Sequence, residues 1–212
     1  MFKPVRRATF ACDMLRIQIG FILYGVAIAM LIRANLGTNA WAVLEVALAQ
    51  LLHLTPGTLS VAMGFLVLAI AMALREQVGW GTLANILCIG PFEDLSLWLI
   101  PSIKDNLPLQ VVMLLGAIAI IGIASAVYIG VDAGAGPRDS LMLAIQRKTG
   151  WSVRLSRGAL EVSVVVVGWL LGGPAGVGTL VFAFLVGPAV QWGFMLFKVR
   201  EQRELDSEVE DG

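Results

Sequence analysis

The sequence predicts an all-α membrane protein, a polytopic helix bundle built from two homologous repeats. Of its 212 residues, 58% are hydrophobic and only 14% are charged, against roughly 45–50% and about 25% in soluble domains. Several apolar runs approach the roughly 20 residues that cross a bilayer. The turn Gly134-Ala135-Gly136-Pro137-Arg138-Asp139 has a counterpart at Gly37-Thr38-Asn39-Ala40-Trp41-Ala42, which lies 97 residues earlier (134 minus 37). We name these the second and the first signature turn.

The same offset recurs along the chain. It relates Gly81-Thr82 to Gly178-Thr179, and Gly90-Pro91 to Gly187-Pro188, without any insertion or deletion. The chain is therefore predicted to consist of two copies of one unit.

Repeat 1 covers residues 16–101 and contains three predicted spans and one short helix. The spans cover residues 16–32, 59–74 and 81–100, and the short helix covers residues 40–52. Asn39 is a suitable N-cap for the short helix. At about 1.5 Å per residue that helix reaches only about 20 Å, which is short for a crossing. Gly90-Pro91 interrupts the third span and permits a kink.

Repeat 2 covers residues 109–197 and follows a polar hinge at residues 102–108. Its spans are predicted at residues 109–130, 155–171 and 178–196, with a short helix at residues 138–147. Gly136 and Pro137 are typical of a helix start. Residues 1–15 are predicted to form a cytoplasmic, interfacial flank, and residues 198–212 an acidic, disordered cytoplasmic tail.

The short helices decide the topology. If they do not cross, each repeat has three spans and the second repeat is inverted; if they cross, each has four and the repeats are parallel. Six spans place 13 of the 15 lysines and arginines in the cytoplasm and eight place 12, so charge does not decide. The length of the second short helix favours six. Both arrangements place both termini in the cytoplasm, and the first span is expected to stay uncleaved.

Polar side chains at membrane depth are costly and are therefore candidates for a substrate or ion site. Glu93 and Asp94 either pair with an arginine such as Arg33 or Arg138, or form a cation or proton site at the broken helix. Arg138 opposes the helix dipole, so we expect it to bind a carboxylate of Glu45, Glu93 or a ligand. The candidates are Asn35, Asn39, Glu45, Glu93, Asp94, Arg138, Asp139 and Glu161.

A second set of residues is interpreted as structural, because each supplies a turn, a kink, a cap or a close helix contact. It comprises Gly37, Gly81, Thr82, Gly90, Pro91, Gly134, Gly136, Pro137, Gly178 and Thr179. Two cysteines and one histidine provide no metal-ligand spacing, and neither a catalytic triad nor a nucleotide-binding fingerprint is present. We therefore expect no enzyme activity, no metal, no cofactor and no nucleic-acid partner.

Several of these motifs together resemble the YczE/YyaS/YitT group of bacterial integral membrane proteins. They are Ala34-Asn35-Leu36-Gly37 followed by Ala40-Trp41, the Gly81-Thr82 start, Gly-x-Gly-Pro-Arg-Asp at 134–139, and Gly172-Gly173 leading into Gly178-Thr179. Asn39-Ala40-Trp41 departs from the group, where a proline is expected before the tryptophan. The resemblance implies a multi-pass protein of a bacterial plasma membrane and implies no biochemical activity.

The function expected from these features is that of a small secondary transporter or permease-like protein. The two signature turns would meet near the membrane centre and form its polar site. The alternative is a non-transporting accessory or regulatory membrane protein. The expected partners are the lipid bilayer and an unidentified small molecule or ion, and homo-oligomerisation is left open.

Overall fold

The computed structural model describes residues 10–74, 79–129, 131 and 136–197. Every regular element in these ranges is an α-helix, as predicted. Eight helices follow one another along the described chain: α1 Phe10–Arg33, α2 Ala40–Leu52, α3 Pro56–Ala73, α4 Trp80–Leu99, α5 Leu107–Ile129, α6 Pro137–Thr149, α7 Val153–Leu170 and α8 Val177–Phe197. Gly134, residues 1–9 of the predicted flank and the predicted acidic tail lie outside the described residues.

Four of the described helices are long and apolar enough to cross a membrane. These segments are Met14–Arg33, Pro56–Ala73, Leu107–Tyr128 and Val177–Phe197. The 20-residue α4, with Glu93 and Asp94, and the 18-residue α7, with Arg154, Arg157 and Glu161, are not among these four segments. The membrane class is thus established, and the count of six spans stays a prediction.

The short helices begin and end at identifiable caps. Asn39 precedes α2, and its side chain accepts a hydrogen bond from the Ala42 amide at 2.9 Å, as predicted. α6 starts at Pro137 and ends at Thr149, two residues beyond the predicted end. The next residue, Gly150, adopts a left-handed conformation with φ +73°. Both short helices therefore contain 13 residues, or about 20 Å, less than the bilayer core of about 30 Å.

The first signature turn packs against the connection that leads into α8. Gly37 has a φ of +110°, and a Cβ there would lie 2.7 Å from the amide nitrogen of Gly176. The Gly178 amide donates to the Leu36 carbonyl at 2.6 Å, and the Gly176 amide donates to Thr179 Oγ1 at 3.2 Å. Gly37, Gly178 and Thr179 therefore all take part in this packing.

The hinge is tied to both halves of the chain. Asn35 donates from its side-chain amide to Ser102 Oγ at 2.7 Å and to the Ile103 carbonyl at 3.0 Å. From the other side, Gln110 donates to the same Ile103 carbonyl at 2.9 Å. The predicted hinge is therefore a fixed connection.

The helices pack in a defined set of pairs. α1 packs against α4 and α5, and α5 also packs against α8. α2 packs against α3 and α7, and α6 packs against α3 and α7. α3 also packs against α4, whereas α7 and α8 do not form such a packed pair in the described part of the chain. The short helices thus lie between the long ones.

Glycines permit the closest of these contacts. A Cβ on Gly57 of α3 would lie 2.1 Å from the Gly90 carbonyl of α4, and one on Gly90 would lie 2.3 Å from the Gly57 carbonyl. In lipid there is no hydrophobic force between helices, so close backbone approach supplies much of the packing energy. Gly90 is therefore a contact residue as well as part of the Gly90-Pro91 interruption.

Gly90→Ala tests this contact against a matched control. The new methyl group would meet a backbone carbonyl that cannot move alone, so we expect a loss of about 1–3 kcal/mol in the free energy of unfolding. Gly187 also precedes a proline, but nothing lies within 4 Å of a Cβ built there, so Gly187→Ala should be neutral or gain about 0.5–1 kcal/mol. Thermal unfolding in one neutral detergent measures both. Equal shifts would contradict the contact.

Candidate binding cavity

A cavity of about 490 Å³ lies where the N-terminal ends of the two short helices meet. Its volume falls within the range typical of small-molecule sites. Both signature turns contribute to its wall, through Asn39 to Trp41 and through Gly136 to Asp139, and the long helices complete it. The polar side chains that line it include Asn39, Ser60, Arg138, Asp139, Arg157 and Glu161.

Arg138 connects the two short helices. Its guanidinium group on α6 donates a hydrogen bond to Glu45 Oε1 on α2 and forms an ion pair with that carboxylate. The guanidinium carbon also lies 4.9 Å from the centroid of the Trp41 ring, a cation–π arrangement. Glu45 is 1% exposed and Arg138 is 30% exposed, so Glu45 lies behind the arginine and Arg138 faces the cavity. Of the expected carboxylate partners, Glu45 is the one that Arg138 contacts.

Asp139 lies beside Arg138 in the first turn of α6, where the helix dipole favours a negative charge. The side chain is half-buried and lines the cavity. Among the described residues it has neither a hydrogen bond nor an ion pair. It is therefore the carboxylate that the cavity leaves available to a ligand.

Arg157 and Glu161 form a second charged pair on α7. Arg157 Nε donates to Glu161 Oε1 at 2.9 Å, across one helical turn. Both side chains line the cavity and are more exposed than Glu45. Glu161 was a candidate from the sequence, whereas Arg157 was missed. Its signal was available in the i,i+4 spacing from Glu161.

Asp94 lies on α4, away from the cavity, and its carboxylate contacts the N-terminus of α3. Its carboxylate accepts a hydrogen bond from Thr55 Oγ1 at 2.6 Å and another from the Gly57 amide at 2.9 Å. An acid that binds free amides at a helix start is stabilising. The structure therefore gives Asp94 structural partners, which differ from the arginine expected under the structural alternative.

Glu93 is fully buried in α4 and does not line the cavity. Neither carboxylate oxygen has a hydrogen-bond partner among the described residues. Arg33, one of its two expected partners, donates instead to the Leu97 carbonyl, and Arg138 pairs with Glu45. Because an isolated buried charge is costly, this carboxyl group stays a candidate proton or cation site.

The remaining residues singled out from the sequence lie at the hinge, at the cap of α2 and at the start of α4. Asn35 binds the hinge and is exposed outside the cavity. Asn39 caps α2 and lines the cavity. Thr82 is buried at the start of α4, near Gly81. Of the eight site candidates, Asn39, Arg138, Asp139 and Glu161 line the cavity, and Glu45 lies directly behind it.

Comparison with known proteins gives the family. The family of unknown function DUF6198 matches residues 12–194. The chain belongs to this family. The uncharacterised membrane protein YczE of Bacillus subtilis (strain 168) is 34% identical over 170 residues, which cover 79% of each chain. This relative and YyaS, described next, confirm the resemblance seen in the sequence.

Two further relatives carry no assigned activity in their names. An uncharacterised protein of Haemophilus influenzae (strain ATCC 51907 / DSM 11121 / KW20 / Rd) is 31% identical over 80% of this chain and 78% of its own length. The uncharacterised protein YyaS of Bacillus subtilis is 27% identical over 80% of this chain and 86% of its own. No solved structure matches the chain. Family membership thus supports a membrane protein, and the activity has to be inferred from the cavity.

A double-mutant cycle tests the ion pair between Arg138 and Glu45. Arg138→Met leaves Glu45 buried without a partner, so we expect a loss of about 3–5 kcal/mol in the free energy of unfolding. Adding Glu45→Leu should recover much of that loss because it removes the isolated charge. Arg157→Met is the control, since its exposed pair should contribute only about 0–1 kcal/mol. A double mutant as unstable as the sum of the two single mutants would contradict the pairing.

Proposed function

We propose that the protein is a small secondary transporter whose cavity binds the transported solute. The observation that carries this proposal is the convergence of Asn39, Arg138, Asp139 and Glu161 on one cavity among otherwise apolar helices. Charged groups at such depth are costly unless they have a use. Short helices whose N-terminal ends meet around a site are a common transporter arrangement.

We further propose that the two repeats are related by an inverted pseudo-symmetry. With an offset of 97 residues, helices α1 to α4 correspond to α5 to α8. The packing of α1 on α4 then corresponds to that of α5 on α8, and the packing of α2 on α7 to that of α6 on α3. This correspondence of helix pairs supports the duplication. Three spans in each repeat would invert the second relative to the first.

In this proposal the protein crosses a bacterial plasma membrane several times and both termini are cytoplasmic. Its partners are the bilayer and a small molecule or ion, and it has no catalytic role. Glu93 would serve as the coupling site for a proton or cation, since its carboxyl group is buried without a partner among the described residues.

A second candidate is a non-transporting accessory protein. It is favoured by the engagement of Arg138 with Glu45 and Trp41, and of Asp94 with the start of α3, because both contacts stabilise helix packing. A transporter opens its site to each face of the membrane in turn, whereas an accessory protein has no need to. The accessibility of the cavity from each face of the membrane therefore distinguishes a transporter from an accessory protein.

Gly158→Cys is a suitable reporter, because Gly158 lines the cavity and nothing lies within 4 Å of a Cβ built there. In a background without Cys12 and Cys88, we expect a membrane-impermeant maleimide to label it in both right-side-out and inside-out vesicles. Alternating access is the physical reason. Labelling from one face alone would favour the accessory protein.

Lys104→Cys provides the orientation control and tests the span count. Lys104 lies in the exposed hinge. Six spans with cytoplasmic termini place this residue outside, so the same maleimide should label it in right-side-out vesicles alone. Labelling in inside-out vesicles alone would instead support eight spans and parallel repeats.

A further inference from the structure

The two halves of the bundle differ in how their last two helices meet. α3 and α4 pack together at Gly57 and Gly90, and Gly64 of α3 also lies against Ile86, with a built Cβ at 3.0 Å from that side chain. α7 packs instead against α2, where a Cβ on Gly168 would lie 2.7 Å from the Leu44 amide nitrogen. In the described part of the chain, α7 and α8 do not form a packed pair.

The sequence explains this difference. The residues 97 positions after Gly57 and Gly64 are Arg154 and Glu161. Large charged side chains replace the two glycines that allow α3 to approach α4, so α7 cannot approach α8 in the same way. Nothing lies within 4 Å of a Cβ built on Gly187, whereas Gly90 is in tight contact.

Apolar side chains line the cavity along the two separated helices. Val162 and Val166 of α7 and Leu180 of α8 belong to its wall, and they are 63%, 46% and 62% exposed. Exposed apolar surface on a membrane helix is suited to acyl chains. The cavity therefore has an apolar side between α7 and α8, next to its charged end at α6.

The charges at the cavity are not balanced once Glu45, which lies directly behind it, is counted. Among the described lining residues, Arg138 and Arg157 carry positive charge, and Asp139 and Glu161 carry negative charge. Arg138 is already paired with Glu45, and Arg157 with Glu161. Asp139 is left without a bonded partner, so these five residues together have one excess negative charge.

We propose that the cavity binds a cationic amphiphile, with its ammonium group at Asp139 and its apolar tail extending between α7 and α8 into the bilayer. This inference rests on the proposed function, since it assigns a ligand class to the same site. A partly desolvated carboxylate favours an ammonium ion, which replaces the missing ion-pair partner. The aromatic side chains Tyr24 and Tyr128 also line the cavity, and aromatic rings attract such cations.

Three probes with the same tail and different head charges test the ligand class. They are n-octyltrimethylammonium, n-octyl sulfate and n-octyl glucoside, each measured by equilibrium binding to the protein in lipid nanodiscs, with empty nanodiscs subtracted. Because a quaternary ammonium donates no hydrogen bond, its preference for the site is coulombic, and we expect the cation to bind at least about tenfold more tightly than the other two. Equal or tighter binding of the sulfate, or no binding of the ammonium probe, would overturn the inference.

Asp139→Asn tests the head-group contact. It should weaken binding of n-octyltrimethylammonium about tenfold, whereas Asp105→Asn, which removes an equal charge from the exposed hinge, should leave binding unchanged. Equal effects of the two substitutions would overturn the assignment to Asp139. If Asp139→Asn does not fold, the preference of the unmodified protein for the cationic probe over the other two decides whether the proposed ligand class is correct.

Val166→Trp and Val167→Trp test the lateral path of the tail. The two valines have similar exposure, 46% and 48%, but only Val166 belongs to the cavity wall. Val166→Trp should weaken octyltrimethylammonium binding to the level of tetramethylammonium, which has no tail, and Val167→Trp should not. Equal effects would overturn the path. Labelling of Gly158→Cys from both faces would then still support transport, so the two failures are distinguishable.

Discussion

The cavity depends on the ion pair between Arg138 and Glu45. The pair joins the N-terminal turn of α6 to the middle of α2, and these two short helices line the cavity from opposite halves of the chain. Glu45 alone would be an expensive buried charge, whereas the ion pair with Arg138 makes it tolerable in an apolar bundle. Trp41 adds a second contact to the same guanidinium. The interaction therefore fixes the geometry of the charged end of the cavity while Arg138 keeps an accessible side.

Local sequence signals predicted much of this structure. The helical class follows from composition, and the cap at Asn39 and the helix start at Pro137 follow from residue types that act within one turn. α1 extends further than predicted, back to Phe10, because neither glycine nor proline interrupts residues 10–16. Because a helix N-terminus disfavours a cation, Arg138 was expected to bind a carboxylate. Within the protein, the two candidates for that carboxylate were Glu45 and Glu93.

Contacts between distant helices were not predictable in the same way. Asp94 was expected either to pair with an arginine or to form a cation or proton site, but it binds the start of α3. Predicting this contact requires knowing that α3 and α4 touch at Gly57 and Gly90. Arg157 lines the cavity because α7 packs against α2. Burial of Glu93 without a described partner is also a tertiary property. Spacing along one helix predicts the pairing of Arg157 with Glu161, but it does not predict which of these side chains reach the cavity, the start of α3 or the buried interior.

The fastening of the hinge has a mechanical consequence for the bundle. Ile103 is bonded to Asn35 from one half and to Gln110 from the other, and its amide also donates to the Arg33 carbonyl at 3.0 Å. These hydrogen bonds join the C-terminal end of α1 and the first turn of α5 to the same residue after α4. Any relative movement of α1, α4 and α5 at this end of the bundle would have to break them first.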